Sequence, residues 1–466
     1  MSATPLFVPP LPVKLQTRSL GLKLIVVCIL ALMMGIPAQF VNSLVMERTG
    51  RAKEVVNEIA AHAGGQQTFL GPTLAIPYVI PPQAPGAQEQ SGIYLVFPAD
   101  ANATAQLGAE ERHRSLFKVP VYKANLQMDA TFNLTGVPAN APPNAVLDWS
   151  RAEIVVGASD ARGALTVATL SANGATAELT PANCSSIMSF GYDESKRVML
   201  TLFGTNVAQL ARPGAQFHVS TKMNFSGSQR MALLAYGKST HFTMESNWSA
   251  PGFDGGFLPS ARTLRSNGFS AEWSVPFIAR GIPAEAPSHL INKFETTALG
   301  VTLVEVADPY QSVTRSLKYA LLFMGLVFLS YFVFEVTTGK RVHPAQYILV
   351  GVAQIIFYLL LLSLAERIGF DWGFLLAGLA TVSLLAANTA WIFASRLQGG
   401  RAFAVFTLLY GLIYLLLRLE DNALLVGAVA SFLVVAAVMY FTRKIDWYSS
   451  LPGSLPASAA HTPEGE

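Results

Sequence analysis

At 466 residues the chain is long enough for roughly two to four domains, yet only 13% of it is charged, about half the ~25% usual in soluble globular proteins. A hydrophobic share of 52% and a mean hydropathy of +0.40 exclude a purely water-facing enzyme of this length and point to surface in contact with lipid. A net charge of +3 carries no nucleic-acid signature, and two cysteines, Cys28 and Cys184, exclude a disulfide scaffold or a multi-thiolate metal centre.

The first apolar run covers residues 20–41 behind Lys14, Arg18 and Lys23. No small-residue cleavage site follows it, and the chain reads on as a charged helix through 47–63, with Glu47 and Arg51 at i,i+4 spacing. The reading is an uncleaved signal anchor. About 270 residues of mixed, Gly- and Pro-punctuated sequence come next. Within them, segments 92–97, 121–134, 152–156, 164–170, 197–203, 217–225, 241–248 and 269–276 are rich in Val, Ile, Thr, Phe and Tyr. The alternation Phe217-His-Val-Ser-Thr-Lys-Met-Asn-Phe225 predicts a half-exposed antiparallel strand, and the whole region predicts a sandwich-like, mainly-β domain, with two sheet lobes as an alternative. A lone Cys184 there reads as a small buried apolar residue.

From 317 onward the chain is apolar again, with spans expected at 317–336, 346–365, 372–394, 402–417 and 423–440. Lys340, Arg341, Arg396, Arg401, Arg443 and Lys444 gather on one side with Lys14 and Arg18, while the opposite short loops hold only Arg367 and Arg418 against four acids. That asymmetry predicts six transmembrane helices with both termini cytoplasmic. The expected organisation is a cytoplasmic segment 1–19, an anchor 20–41, an external β-rich domain 42–315, a five-helix block 316–441 and a cytoplasmic tail 442–466.

Few residues suggest chemistry. No metalloprotease, P-loop, serine-hydrolase or kinase motif is present. His218 and His241 would need a third ligand to specify a metal, and no pair of acids has a spacing that marks glycosidase carboxylates. The aromatic, Gly- and Pro-rich stretches 247–259 and 268–273 suit either a sugar-stacking face or aromatics plugging a sandwich corner, and the corner is the expectation. Glu335 is expected to reach the interface toward Lys340 and Arg341, leaving Gln354 and Tyr358 as polar groups inside a span. Arg315 and Lys318, at the membrane edge of the external domain, are candidate docking partners for the loop acids Glu366, Asp371, Glu420 and Asp421.

Asp308-Pro-Tyr-Gln-Ser-Val-Thr-Arg-Ser-Leu-Lys-Tyr319, Arg341-Val-His-Pro-Ala-Gln-Tyr347, Leu419-Glu-Asp421 and Met439-Tyr-Phe-Thr-Arg-Lys-Ile-Asp-Trp-Tyr448 resemble the CreD family of inner-membrane proteins. Gly71-Pro-Thr-Leu-Ala-Ile-Pro-Tyr78 and Phe253-Asp-Gly-Gly-Phe-Leu-Pro259 are similar to its external signatures. The resemblance implies a multi-pass inner-membrane protein linked to cell-envelope integrity, colicin tolerance and the response to β-lactam stress. It brings no catalytic, cofactor-binding or metal residues with it. The expected partners are membrane lipids and an envelope protein or peptidoglycan component, met without enzymatic chemistry and without a cofactor. A transporter or lipid-handling role is the alternative, and a periplasmic enzyme acting on cell wall is a third.

Overall fold

The computed structural model describes residues 20–82, 88–114, 117–183, 187–190, 198–291, 293–304 and 309–418, with single positions between 425 and 443. The chain forms two compact units, residues 1–49 with 307–466, and residues 50–306.

The first unit is helical. Helix α1 (Leu20–Met33) and helix α2 (Gly35–His62), which continues into the second unit, are separated only by Met34, so the apolar run and the charged segment after it form a nearly unbroken rod. The tetrapeptide helix α3 (Phe277–Arg280) belongs to the second unit; the first resumes with α4 (Pro309–Lys318), α5 (Ala320–Thr338), α6 (Pro344–Ile368), α7 (Phe370–Phe393) and α8 (Arg396–Arg418). Among the described residues five helices are long and apolar enough to cross a bilayer: the α1–α2 rod and α5 to α8. Helix α8 runs further than its expected span because Arg396-Leu-Gln-Gly-Gly-Arg401 winds as its first turns. Of the sixth expected span, 423–440, seven positions are described, Leu425, Ala428, Val429, Phe432, Ala436, Met439 and Tyr440, all helical and exposed; the rest lies outside the described residues.

The second unit holds the strands. In chain order they are β1 (Gln67–Ile80), β2 (Gln90–Val96), β3 (Asp100–Arg114), β4 (Phe117–Asn133), β5 (Val146–Leu147), β6 (Glu153–Ala158) and β7 (Thr169–Ala172). There follow β8 (Ala175–Glu178), β9 (Thr180–Pro181), β10 (Ile187–Phe190), β11 (Val198–Asn206), β12 (Gln216–Ser228) and β13 (Arg230–Leu234). The last are β14 (Ser239–Ser246), β15 (Pro251–Gly255), β16 (Ala261–Arg265), β17 (Gly268–Val275), β18 (Glu285–Pro287) and β19 (Ala298–Leu303). One sheet is ordered β10-β11-β6-β1-β13-β19-β15 with β2, β5, β9 and β18 at its margins. The other, eight-stranded, is ordered β16-β17-β14-β3-β4-β12-β7-β8. Both sheets contribute to one buried cluster, so they form a single two-layer body.

Alternation explains the eight-stranded sheet. In β12, Phe217, Val219, Thr221, Met223 and Phe225 are buried while His218 and Lys222 face out, as the sequence pattern predicts. Strand β3 does the same with smaller residues: Ala101, Ala103, Ala105, Leu107 and Ala109 point inward. Their size has a reason. Ala103 is paired with Phe242 on one side and Met128 on the other, and Ala105 with Met244 and Leu126. Small residues between two rows of large ones fill the layer without overpacking it.

The two signature stretches are structural. Gly71 and Pro72 sit where the pairing of β1 with β6 slips, since proline cannot donate to the ladder. A Cβ at Gly71 would lie 2.5 Å from the Tyr236 ring. Tyr236 needs that place, because its hydroxyl reaches the carbonyls of Asn102 and Asp129, each at 3.0 Å, and so links the two sheets. Burial, with the Asp129 carboxylate nearby, holds this phenol well above its ordinary pKa. In the second stretch Asp254 accepts from Arg230 at 2.7 Å and 2.9 Å and from Thr302, over Gly300, whose missing side chain leaves the space for the pair. The neighbouring aromatics plug the sandwich, as expected. Trp273 is buried, stacks on Phe242 at 5.2 Å and donates its indole N–H to the Phe257 carbonyl.

Gly71→Ala is expected to destabilise the protein by about 1–3 kcal/mol through overpacking against Tyr236. Adding Tyr236→Leu should recover part of that loss, a coupling read from thermal unfolding of the four variants of the cycle. An unchanged midpoint for Gly71→Ala contradicts the packing argument.

Candidate functional site

The outward face of the eight-stranded sheet carries a polar trough of about 900 Å³. Its axis is a row of residues held opposite one another by strand register. Thr263 pairs with Ser270, Ser270 with Glu245, Glu245 with Gln106, Gln106 with Asn125, and Asn125 with Asn224. At ~4.8 Å per strand this row runs about 24 Å across the sheet. One row further along, the floor drops because β17 and β3 contribute Gly268 and Gly108. Arg265, opposite Gly268, and Lys123, opposite Gly108, stand at the two ends of that lower floor.

Part of the lining is fixed. Asn247 exchanges hydrogen bonds with the Ala109 backbone at 2.7 Å and 2.9 Å, and Asn224 donates to Thr166 at 3.2 Å. The side chains of Lys123, Arg265, Glu245, Gln106 and Asn125 make no hydrogen bond or ion pair with the described residues, so their polar ends are available to a ligand. Among the lining residues Glu245 is the single acid. Chemically the trough offers amides, hydroxyls and two cations; its apolar lining is Leu107, Ala124, Leu165 and Phe269.

The helical unit has a second polar feature. Glu335 is 5% exposed, and its carboxylate takes the Lys23 ammonium, the Val342 N–H at 3.0 Å and the Tyr347 hydroxyl at 3.1 Å. Lys23 also donates to the Val342 carbonyl at 2.9 Å. This corrects the expectation that Glu335 reaches toward Lys340 and Arg341. Lys340 instead donates to the Phe393 carbonyl, satisfying the C-terminal end of α7. The first helical rod is therefore tied to α5 by an ion pair whose carboxylate is buried, and it runs antiparallel to α5, since Lys23 pairs with Glu335 near one end and a Cβ at Gly35, the first residue of α2, would lie 3.7 Å from Leu321 near the other. Midway along α6, Gln354 is fully buried with neither amide atom hydrogen-bonded to the described residues, and the buried hydroxyls of Tyr358 and Tyr410 meet no hydrogen-bond partner among them either.

The docking candidates fall as follows. Glu366 accepts from the Tyr310 hydroxyl at 3.0 Å, and Asp371 pairs with Arg418 and accepts from Tyr414 at 3.1 Å. Arg315 is half-buried and Lys318 exposed on α4. Glu420 and Asp421 lie outside the described residues, as does Cys184, while Cys28 is exposed on α1. His218 and His241 do not meet, because β3 and β4 lie between their strands. Sequence reasoning missed Gln106 and Gly108: β3 is alanine-rich and alanine is a poor strand former, although its strict period of two was readable.

Lys23→Met leaves the Glu335 carboxylate buried without a counter-charge and should cost about 3–5 kcal/mol. Adding Glu335→Gln removes that charge, and thermal unfolding in detergent should show much of the loss restored. If the double variant is as unstable as Lys23→Met plus Glu335→Gln separately, the two groups do not act as a pair.

A family model described as inner membrane protein CreD matches residues 19–448. The chain is 29% identical over 452 residues to inner membrane protein CreD of Escherichia coli strain K12, covering 93% of this chain and 95% of that protein. With apolar helices at both ends of a mainly-β unit, and a match across nearly its whole length, the chain belongs to the CreD family of inner-membrane proteins.

Proposed function

We propose that this protein supports cell-envelope integrity, including under β-lactam or colicin stress, by holding an envelope component non-covalently on its β unit. In this reading six helices cross the inner membrane, both termini are cytoplasmic and the β unit is periplasmic. The Lys/Arg asymmetry of the short loops supports that orientation. One observation carries the binding role: a preformed trough in which the side chains of Gln106, Asn125, Lys123 and Arg265 make no hydrogen bond or ion pair with the described residues. Its single acid supports binding rather than hydrolysis, because glycoside cleavage ordinarily needs two carboxylates flanking the bond.

A second reading, transport or lipid handling by the helical unit, is favoured by Gln354, Tyr358 and Tyr410. Unpaired polar groups inside a membrane-spanning block are costly and mark substrate or proton pathways elsewhere. The charges Arg315, Lys318, Glu366, Asp371, Glu420 and Asp421 retain a proposed part in fixing the β unit at the membrane, as a shared ionic cluster.

Photo-crosslinking side chains placed at Gln106 or Asn125 in living cells should give discrete envelope adducts, and the same probe at Ser274 should give few. Adducts that do not depend on the trough positions sink the binding role. Reporter fusions after Ser91 should be active in the periplasm and fusions after Gly339 and Tyr448 in the cytoplasm. A periplasm-active fusion after Tyr448 overturns the orientation.

A further inference from the structure

We propose that the trough binds an acidic glycan strand lying across the β-strands, with Lys123 and Arg265 receiving its carboxylates. The inference rests on the binding role proposed above and names the class of ligand.

Position in the sheet argues for a glycan. The trough lies mid-sheet on β17, β14, β3 and β4, whose backbone groups are already paired on both sides. A peptide that adds to a sheet uses unpaired backbone at an edge and sets its side chains into apolar pockets. Here the backbone is already paired, and among the apolar lining residues only Leu165 is exposed. What projects from the floor is a row of Thr, Ser, Glu, Gln, Asn and Asn, which matches a polymer dense in hydroxyl and N-acyl groups. Glu245, in the middle of that row, is an acceptor for hydroxyl or amide hydrogens.

Charge argues for acidity. Lys123 and Arg265 outnumber Glu245, and neither cation is neutralised by the described residues. Four strand steps separate them, since Arg265 is on β16 and Lys123 on β4 in the order β16-β17-β14-β3-β4. That is about 19 Å at the usual strand spacing, long enough to engage carboxylates on separate sugars of one strand. The low floor at Gly108 lets the chain of sugars approach the backbone.

Gly108 also supplies a clean test. A Cβ built there meets only the Lys123 carbonyl, at 4.0 Å, and the residue has no positive φ, so a large side chain fits without strain and fills the trough. The probe is a soluble, peptide-free strand of N-acetylated amino sugars bearing lactyl carboxylates, titrated against the full-length protein in detergent micelles. The same strand with its carboxylates amidated, a neutral N-acetylglucosamine oligomer and free stem peptide are the comparisons. Binding of the acidic strand is expected, weakened by salt, lost in Gly108→Trp, and reduced about fivefold each by Lys123→Gln and Arg265→Gln. Lys222→Gln, on the same face but outside the trough, should bind normally. Equal binding of amidated or neutral strands, preference for the peptide, absence of binding, or full binding by a folded Gly108→Trp protein overturns the proposal. Crosslinking from the trough to a protein rather than a glycan overturns this inference alone; loss of trough-dependent crosslinks in cells removes the broader reading too.

Discussion

One dry layer between two sheets governs the β unit. Every inward position of β3, β4, β12 and β14 must fit that layer, and a period of two then sends every alternate residue to the other face. Phe242, Ala103 and Met128 form one inward row, and Met244, Ala105 and Leu126 the next. The row Glu245, Gln106 and Asn125 stands on the opposite side of the same strands. Slipping β3 by one residue would bury Gln106 and expose Ala105 and Leu107. Core packing therefore fixes the trough, and the trough needs no separate framework. Tyr236, with its hydroxyl on the carbonyls of Asn102 and Asp129, further pins these strands to the facing sheet.

In the helical unit the governing demand is satisfaction of polar groups away from water. Glu335 meets it with three donors, one of them Lys23 from the first apolar helix. The pair gives α1 a packing role beyond that of an anchor, reinforced where Gly351 leaves room for Met34 and Phe328. Tyr331 meets the demand with the Leu385 carbonyl at 2.9 Å and the Thr389 hydroxyl at 3.0 Å. Among the described residues no hydrogen-bond partner meets Gln354 or the hydroxyls of Tyr358 and Tyr410. Asp371 and Arg418 are about half exposed, so their contact adds little stability.

Hydrophobic runs made the spanning helices legible, since length and composition alone define them. Strand β12 was legible because its inward residues are large: Phe217, Val219, Met223 and Phe225. Strand β3 was not, because alanine carries neither strand propensity nor obvious hydrophobicity; its place between two bulky neighbours is a tertiary fact. The trough was illegible for the same reason. Its residues come from six strands and the loops beside them, and the alignment of the strand residues exists only in the register. Glu335 was misread because sequence proximity favoured Lys340 and Arg341, while its partner Lys23 lies 312 residues away.

The central claim is that the trough on the outward face of the eight-stranded sheet is occupied in the envelope. Covalent footprinting of lysines and carboxylates tests it most directly, comparing the protein in intact cells with the same protein purified in detergent. Lys123 and Glu245 are expected to be labelled far less in cells than after purification, and exposed Lys222 and Glu110 alike in both. Equal labelling of Lys123 and Glu245 in the two preparations would contradict it.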